Sequence, residues 1–255
     1  MLETSPGVRR PSAPLPIDSL PAHSFRDSSP VGASIAIRNL THGYSSPTGD
    51  VPVLRDLELD LEAGAYAALS GPSGAGKSTL LALIGGLEAP RSGSVVVAGT
   101  ELTKLAGDAL ARFRRETVGF VFQHFGLLGE LTALENIELA LALDRVPPRR
   151  RSQVAVDLLQ RAGLGARADH RPGALSGGER QRVSILRAMV NRPRLVLADE
   201  PSGNLDPASA RVVIEMLEDL QVQTGCTLVL VTHNPDLASR AHQHFRLENG
   251  RLAGS

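Results

Sequence analysis

The sequence has no tryptophan, only two tyrosines and six phenylalanines, and a single cysteine in 255 residues. One cysteine excludes an internal disulfide. Cys226 leads into the apolar run 227–231, where a buried structural thiol is expected, and this sparing use of cysteine suits a reducing cytoplasm. A surplus of charge of either sign is also lacking. Lys plus Arg and Asp plus Glu each number 27, so the net charge is zero and no global basic face argues for a nucleic-acid partner. Apolar runs stop at about eight residues, too short to cross a bilayer, and the N-terminus lacks the apolar stretch of a secretory signal. The chain itself is therefore not expected to span a membrane. What it does have is 42% hydrophobic residues, enough for a full core, and a length that suits one α/β domain with or without an inserted lobe.

Residues 1–32 carry Pro6, Pro11, Pro14, Pro16, Pro21 and Pro30 among many serines, without apolar periodicity, and read as a disordered tail before an ordered domain over 33–255. The stretch around which that domain is organised is Gly71-Pro72-Ser73-Gly74-Ala75-Gly76-Lys77-Ser78-Thr79, which fits G-x-x-x-x-G-K-[ST], the P-loop pattern. Gly71, Gly74 and Gly76 permit a tight turn that brings backbone N–H groups against a polyphosphate. Lys77 adds a charge for the outer phosphates, and Ser78 offers a hydroxyl to Mg²⁺. The run Tyr66 to Leu69 reads as a buried strand and 79–85 as a helix, which sets the phosphates on a helix N-terminus.

Upstream, Ile35 to Leu40 reads as a strand, and Leu57, Leu59 and Leu61 alternating with Glu58, Asp60 and Glu62 read as a half-exposed antiparallel strand. Tyr44, placed in the loop between them, either stacks on a purine base or packs as an ordinary aromatic. Downstream, 94–98 is a short strand and Asp108 to Thr117 a basic helix. The apolar strand Val118 to Phe122 ends at Gln123, whose amide either reaches into a site or faces water. Thr132 and Glu135 form a capping box that opens a helix to Leu143. Pro147-Pro148 is expected to end it, and a second helix follows from about Arg149 to Ala162. Its Arg149-Arg150-Arg151 start is either a solvated helix turn or a contact for lipid headgroups. These helices interrupt the strand rhythm, so a separate lobe is expected over about 117–192.

In Leu175-Ser176-Gly177-Gly178-Glu179-Arg180-Gln181, Ser176 and Glu179 again have capping-box spacing, and two glycines expose first-turn N–H groups, a second anion site. One nucleotide does not need two helix starts from distant parts of one chain, which suggests that the second serves a phosphate held by another subunit. Leu195 to Ala198 is a continuous apolar strand ending in Asp199 and Glu200. Ligands bind beyond the carboxyl ends of such strands, so Asp199 is assigned to Mg²⁺ and Glu200 to general-base attack by water. Asp206-Pro207 caps a helix to about Gln223. His233 follows the buried strand Cys226 to Val231 at the same sheet edge, where it can sense a γ-phosphate or orient Glu200. His242 and His244 share a strand face without a third ligand, so no metal site is assigned to them.

Together these residues resemble the ATP-binding subunit of an ABC transporter over roughly Ser34 to Leu252. Tyr44 matches the adenine-stacking A-loop aromatic, Gly71 to Thr79 the Walker A motif, Gln123 the Q-loop and Leu175 to Gln181 the signature motif. Leu195 to Glu200 matches Walker B with its catalytic glutamate, Ser202 to Asp206 the D-loop, and His233 the switch histidine. The resemblance implies the α/β P-loop ABC-ATPase fold: a mostly parallel core sheet, an antiparallel β subdomain and an inserted helical subdomain. It implies ATP and Mg²⁺, the metal held by Ser78, Gln123 and Asp199. A head-to-tail homodimer is implied as well, with two ATP molecules between Walker A of one chain and Ser176-Gly177-Gly178 of the other, and Asp206 beside them. The stretches 119–123, 131–136 and 198–206 are similar to the lipoprotein-release, macrolide-export and cell-division group. Members of that group drive a separate integral membrane subunit from the cytoplasmic face of the inner membrane, some by transmitting force rather than carrying a solute. Two other readings remain at this point, a soluble ABC ATPase of DNA repair or translation and a regulatory module that binds ATP without turnover.

Overall fold

The computed structural model describes residues 32–47 and 49–253, so the expectation of a disordered tail lies, apart from Gly32, outside the described residues. The strands β1 (Ile35–Ser46) and β2 (Gly49–Leu61) pair antiparallel, with Leu57, Leu59 and Leu61 buried as their alternation predicts. β1 runs six residues past the expected end at Leu40, because register shifts between Ile37 and Gly43 break the period-two pattern while the pairing continues. Tyr44 is therefore a strand residue opposite Val51 and not a loop residue. β4 (Ser92–Val97) pairs with β1, and β5 (Thr100–Glu101) with β4, to complete a four-stranded sheet in the order β2-β1-β4-β5.

A second sheet holds the chemistry. β3 (Tyr66–Ser70), β6 (Val118–Val121), β7 (Leu195–Asp199), β8 (Thr227–Val231), β9 (Gln243–Glu248) and β10 (Arg251–Ala253) lie in the order β10-β9-β3-β8-β7-β6. All its pairings are parallel except that of β10 with β9. The central strands are apolar on both faces because each face covers a different core. Leu195, Leu197, Val229 and Val231 pack with β1, β2 and α1 (Lys77–Ile84). Val196, Ala198, Leu228 and Leu230 pack with helices on the other side. That two-sided burial is why these segments read as unbroken hydrophobic runs.

The helices on that second side are α3 (Ala133–Leu143), α4 (Pro148–Arg161), α5 (Gly177–Met189) and α6 (Pro207–Thr224); α2 (Gly107–Thr117) precedes β6 and a short α7 (Pro235–Ala238) follows β8. α3 opens on the expected capping box, Thr132 Oγ1 accepting from the Glu135 N–H at 3.1 Å and Glu135 Oε2 from the Thr132 N–H at 2.8 Å. It ends at Leu143 with Asp144 as C-cap, and Pro148 starts α4 at its first position instead of terminating α3. The expected lobe of 117–192 begins too early in one respect: Val118–Val121 is β6, paired with β7 at the edge of the parallel sheet, so the helical block follows it. One buried hydroxyl ties the start of the domain to this frame. Thr227 Oγ1 accepts from the N–H groups of Ala33 (3.0 Å) and Gly64 (2.9 Å) and donates to the Ala33 carbonyl (2.7 Å).

Candidate active site

Parallel order puts the carboxyl ends of β3, β8, β7 and β6 side by side on one edge, and each delivers one expected functional segment there. From β3 comes the loop 71–76, which runs into α1. Gly76, the helix N-cap, has φ 101°, and no side chain caps its N-terminus; no acidic residue lies in the first turn. The first N–H groups of α1 are thus left for an external acceptor. Lys77 is buried, and its ammonium donates to the carbonyls of Gly71 (3.0 Å) and Pro72 (2.9 Å). Among the described residues no carboxylate pairs with it, so the loop holds a buried cation beside free N–H donors, an environment built for a polyphosphate. Gly71, at φ 143°, sits where a Cβ would lie 2.2 Å from the Leu247 carbonyl, so this glycine is required by the close approach of β9.

From β7 come Asp199, opposite Val231 of β8, and Glu200. Glu200 adopts φ 44°, and its N–H donates to the Val231 carbonyl at 3.1 Å. This left-handed turn takes its side chain off the line of the strand. Its Oε1 meets His233 Nε2, delivered by β8, at 2.6 Å. The two expected catalytic groups are therefore in direct contact although 33 positions apart in sequence. From β6 comes Gln123, whose carbonyl accepts from Asn204 at 3.3 Å; a Cβ on Gly203 would lie 3.4 Å from both Gln123 Nε2 and Glu200 Oε2, so amide and carboxylate flank one glycine. A cleft of about 650 Å³ adjoins them, lined by Glu200, His233 and the starts of α6 and α7.

Among the described residues no cluster of three or more His, Cys, Asp or Glu could hold a metal alone. The expected set of Ser78 hydroxyl, Gln123 amide and Asp199 carboxylate offers hard oxygen donors and too few charges to bind without phosphates, which fits Mg²⁺. Tyr44 lies against α1 and the turn that follows it. Its ring is exposed, and its hydroxyl lies 3.1 Å from Thr79 Oγ1 and 3.0 Å from Glu88 Oε2.

The signature segment opens on the expected capping box. Ser176 Oγ accepts from the Glu179 N–H (3.2 Å), and Glu179 Oε2 from the Ser176 N–H (2.7 Å). Glu179 Oε1 also meets Arg167 at 2.9 Å. Burial pushes the Glu179 carboxyl up, and the Ser176 N–H and the Arg167 guanidinium outweigh it, holding the group below its ordinary range. Gly177 and Gly178 pack on the start of α6: a Cβ on Gly178 would lie 2.9 Å from Ser209, and one on Gly177 3.2 Å from Leu205. Asp206 caps α6, accepting from the N–H groups of Ala208 and Ser209 at 3.0 Å each. Among the described residues, no hydrogen bond or ion pair joins 176–178 to 71–79. Sequence reasoning missed Glu88, Thr79 as a partner of Tyr44, and the Asn204 link to Gln123. None has a spacing signal, since each depends on segments distant in sequence meeting in three dimensions.

A phosphate-binding loop beside an acid pair and a histidine, all on the carboxyl edge of a parallel sheet, defines a nucleoside-triphosphate hydrolase. The sequence profile of the ABC transporter family matches residues 54–203, and the chain belongs to that family as an ATP-hydrolysing cassette subunit. It is 46% identical over 215 residues to the lipoprotein-releasing system ATP-binding protein LolD of Chromohalobacter salexigens, covering 84% of this chain and 90% of that one. It is 47% identical over 218 residues to the macrolide export ATP-binding/permease protein MacB 1/2 of Paracoccus denitrificans, covering 86% of this chain but 32% of its relative, so it spans about a third of that protein's length. The ATP-binding cassette MJ0796, solved as a dimer in a post-hydrolysis state with ADP and Pi, superposes with a TM-score of 0.81 at 35% identity, covering 86% of this chain and 97% of that one. Among the described residues no helix is long and apolar enough to cross a membrane.

Proposed function

We propose that two copies of this chain close head to tail on two MgATP and that the closure drives a separate integral membrane subunit, in lipoprotein release or export, from the cytoplasmic face of the membrane. The observation that carries this reading is that, among the described residues, the helix start at Ser176 has no hydrogen bond or ion pair to the loop 71–79 of its own chain. Ser176, exposed at the head of α5, makes no bond to its own chain's loop, whereas a second copy would bring it to one. The dimeric state of the MJ0796 cassette and the names of the LolD and MacB relatives support it. In this reading Lys77 and the α1 N–H groups hold the β- and γ-phosphates, and Ser78, Gln123 and Asp199 hold Mg²⁺. Bound there, the ion would neutralise charge on the transferred phosphoryl group. Glu200 takes the proton of the attacking water, and His233, in contact with its carboxylate, fixes its direction.

Glu200→Gln keeps shape but removes the base, so hydrolysis should fall by about 10²–10⁴-fold while ATP still binds. Light scattering should then show a dimer with ATP and a monomer with ADP, because ligand held between copies stabilises association by linkage. Adding Ser176→Arg should leave a monomer with ATP. An ATP-dependent dimer in the double variant would remove α5 as the second phosphate clamp.

A further inference from the structure

The Tyr44 phenol has more polar partners than ordinary packing requires. Its oxygen lies 3.1 and 3.0 Å from the two carboxylate oxygens of Glu88 and 3.1 Å from Thr79 Oγ1. A carboxylate only accepts, so the single phenol proton is directed to Glu88, and the phenol oxygen accepts from the Thr79 hydroxyl. Partial burial and the nearby carboxylate push the phenol above its ordinary pKa against the effect of Thr79, so it keeps the proton it donates. On the other side, the largely buried His42 ring meets the Tyr44 ring edge-on (centroids 5.2 Å apart, planes at 89°), with its Nε2 3.1 Å from Glu88 Oε2. Glu88 follows α1 in a turn whose N–H returns to the Ala82 carbonyl, and Thr79 lies in the first turn of α1. Both ends of the phosphate-loop helix therefore hold one aromatic side chain that comes from a different sheet.

We propose that Glu88 is a positioning residue for the base platform: it anchors the Tyr44 hydroxyl to α1 and so fixes where a purine ring stacks relative to the phosphate loop. The inference rests on the reading that Tyr44 stacks on the base, and the two are separable by experiment. Glu88 touches no phosphate group in this scheme, so its loss should weaken ATP and leave inorganic tripolyphosphate, which has no base, unaffected.

Calorimetric binding of ATP and of tripolyphosphate to the full chain tests this, with steady-state phosphate release alongside. Tyr44→Ala should weaken ATP by roughly 5- to 150-fold, the range for losing an aromatic under a base. Tyr44→Phe and Glu88→Ala should each weaken ATP by about 2- to 12-fold, the net effect of losing one typical hydrogen bond, with the loss of Glu88→Ala appearing in KM rather than in kcat. Combining them should be no worse than either alone, and Glu88→Gln, whose amide oxygen can still accept from the phenol, should recover part of the loss. Wild-type ATP affinity in Tyr44→Ala would sink the stacking reading and this inference with it. Weakening in Tyr44→Ala with none in Tyr44→Phe or Glu88→Ala would overturn the anchor and leave the stacking. An undiminished effect of Glu88→Ala in the Tyr44→Phe background, or an equal loss of tripolyphosphate, would show that Glu88 acts through the fold and would also overturn it.

Discussion

Gly71→Ala is a sharp probe of how the phosphate loop is held, because two separate penalties fall on one added methyl. At φ 143° an alanine sits in the left-handed half of backbone space, at about 1–3 kcal/mol of strain. The methyl would also lie 2.2 Å from the Leu247 carbonyl, so loop and β9 must part by at least about 0.8 Å to reach the shortest approach that real Cβ atoms make. Overpacking of that kind adds about 1–3 kcal/mol. For a chain of this size each kcal/mol lowers Tm by about 2–4 °C, so even the smallest sum should cost about 4 °C. Displacing the loop by nearly 1 Å should reduce kcat/KM for ATP by about 10²-fold, the usual effect of misplacing a reacting group that far. Gly74→Ala is the control: its φ of 78° carries backbone strain, but a Cβ there meets nothing within 4 Å. Thermal melts and phosphate release on both variants separate the terms. If Gly71→Ala melted and turned over like Gly74→Ala, the contact with Leu247 would have no part in setting the loop.

Two further substitutions probe neighbouring parts of the same argument. Lys77→Ala removes the only charge in the loop and frees the Gly71 and Pro72 carbonyls it now bonds, so ATP binding should weaken by at least about tenfold and turnover should be lost; unchanged phosphate release would take the loop out of the mechanism. Thr227→Val leaves the buried Ala33 N–H and the half-buried Gly64 N–H without their shared acceptor, at about 1–3 kcal/mol for the buried group left unpaired, and a denaturant melt showing no loss of stability would mean that water replaces the hydroxyl.

Local patterns were legible in the sequence wherever one segment carries the whole signal. The capping boxes at Thr132 and Ser176 start α3 and α5 where expected, because a box is a contact between residues three apart. The apolar strands 66–69 and 195–198 were equally plain, since burial on both faces leaves no polar interruption. β1 was cut short at Leu40 because its bulges erase alternation while the hairpin pairing, a property of two segments, persists. In the sequence Gly178 signals only an exposed backbone donor; its close fit against Ser209 also requires a glycine, and that depends on α6 arriving beside α5.

Glu200 shows the same limit at the centre of the chemistry. In an extended strand Asp199 and Glu200 would face opposite sides of the sheet, and nothing in Ala198-Asp199-Glu200-Pro201 announces a residue at φ 44°. That conformation is disfavoured for a glutamate and persists only because the surroundings determine it: its N–H is taken by the Val231 carbonyl, its own carbonyl by the Gly203 N–H at 3.0 Å, and its carboxylate by His233 at 2.6 Å. Each of those three partners lies on β8, in the turn after β7 or in the turn after β8, so the direction of the Glu200 carboxylate is fixed by the pairing of β7 with β8. The order of strands in the sheet is thus what gives an acidic strand end a directed carboxylate, as the proposed role of Glu200 requires.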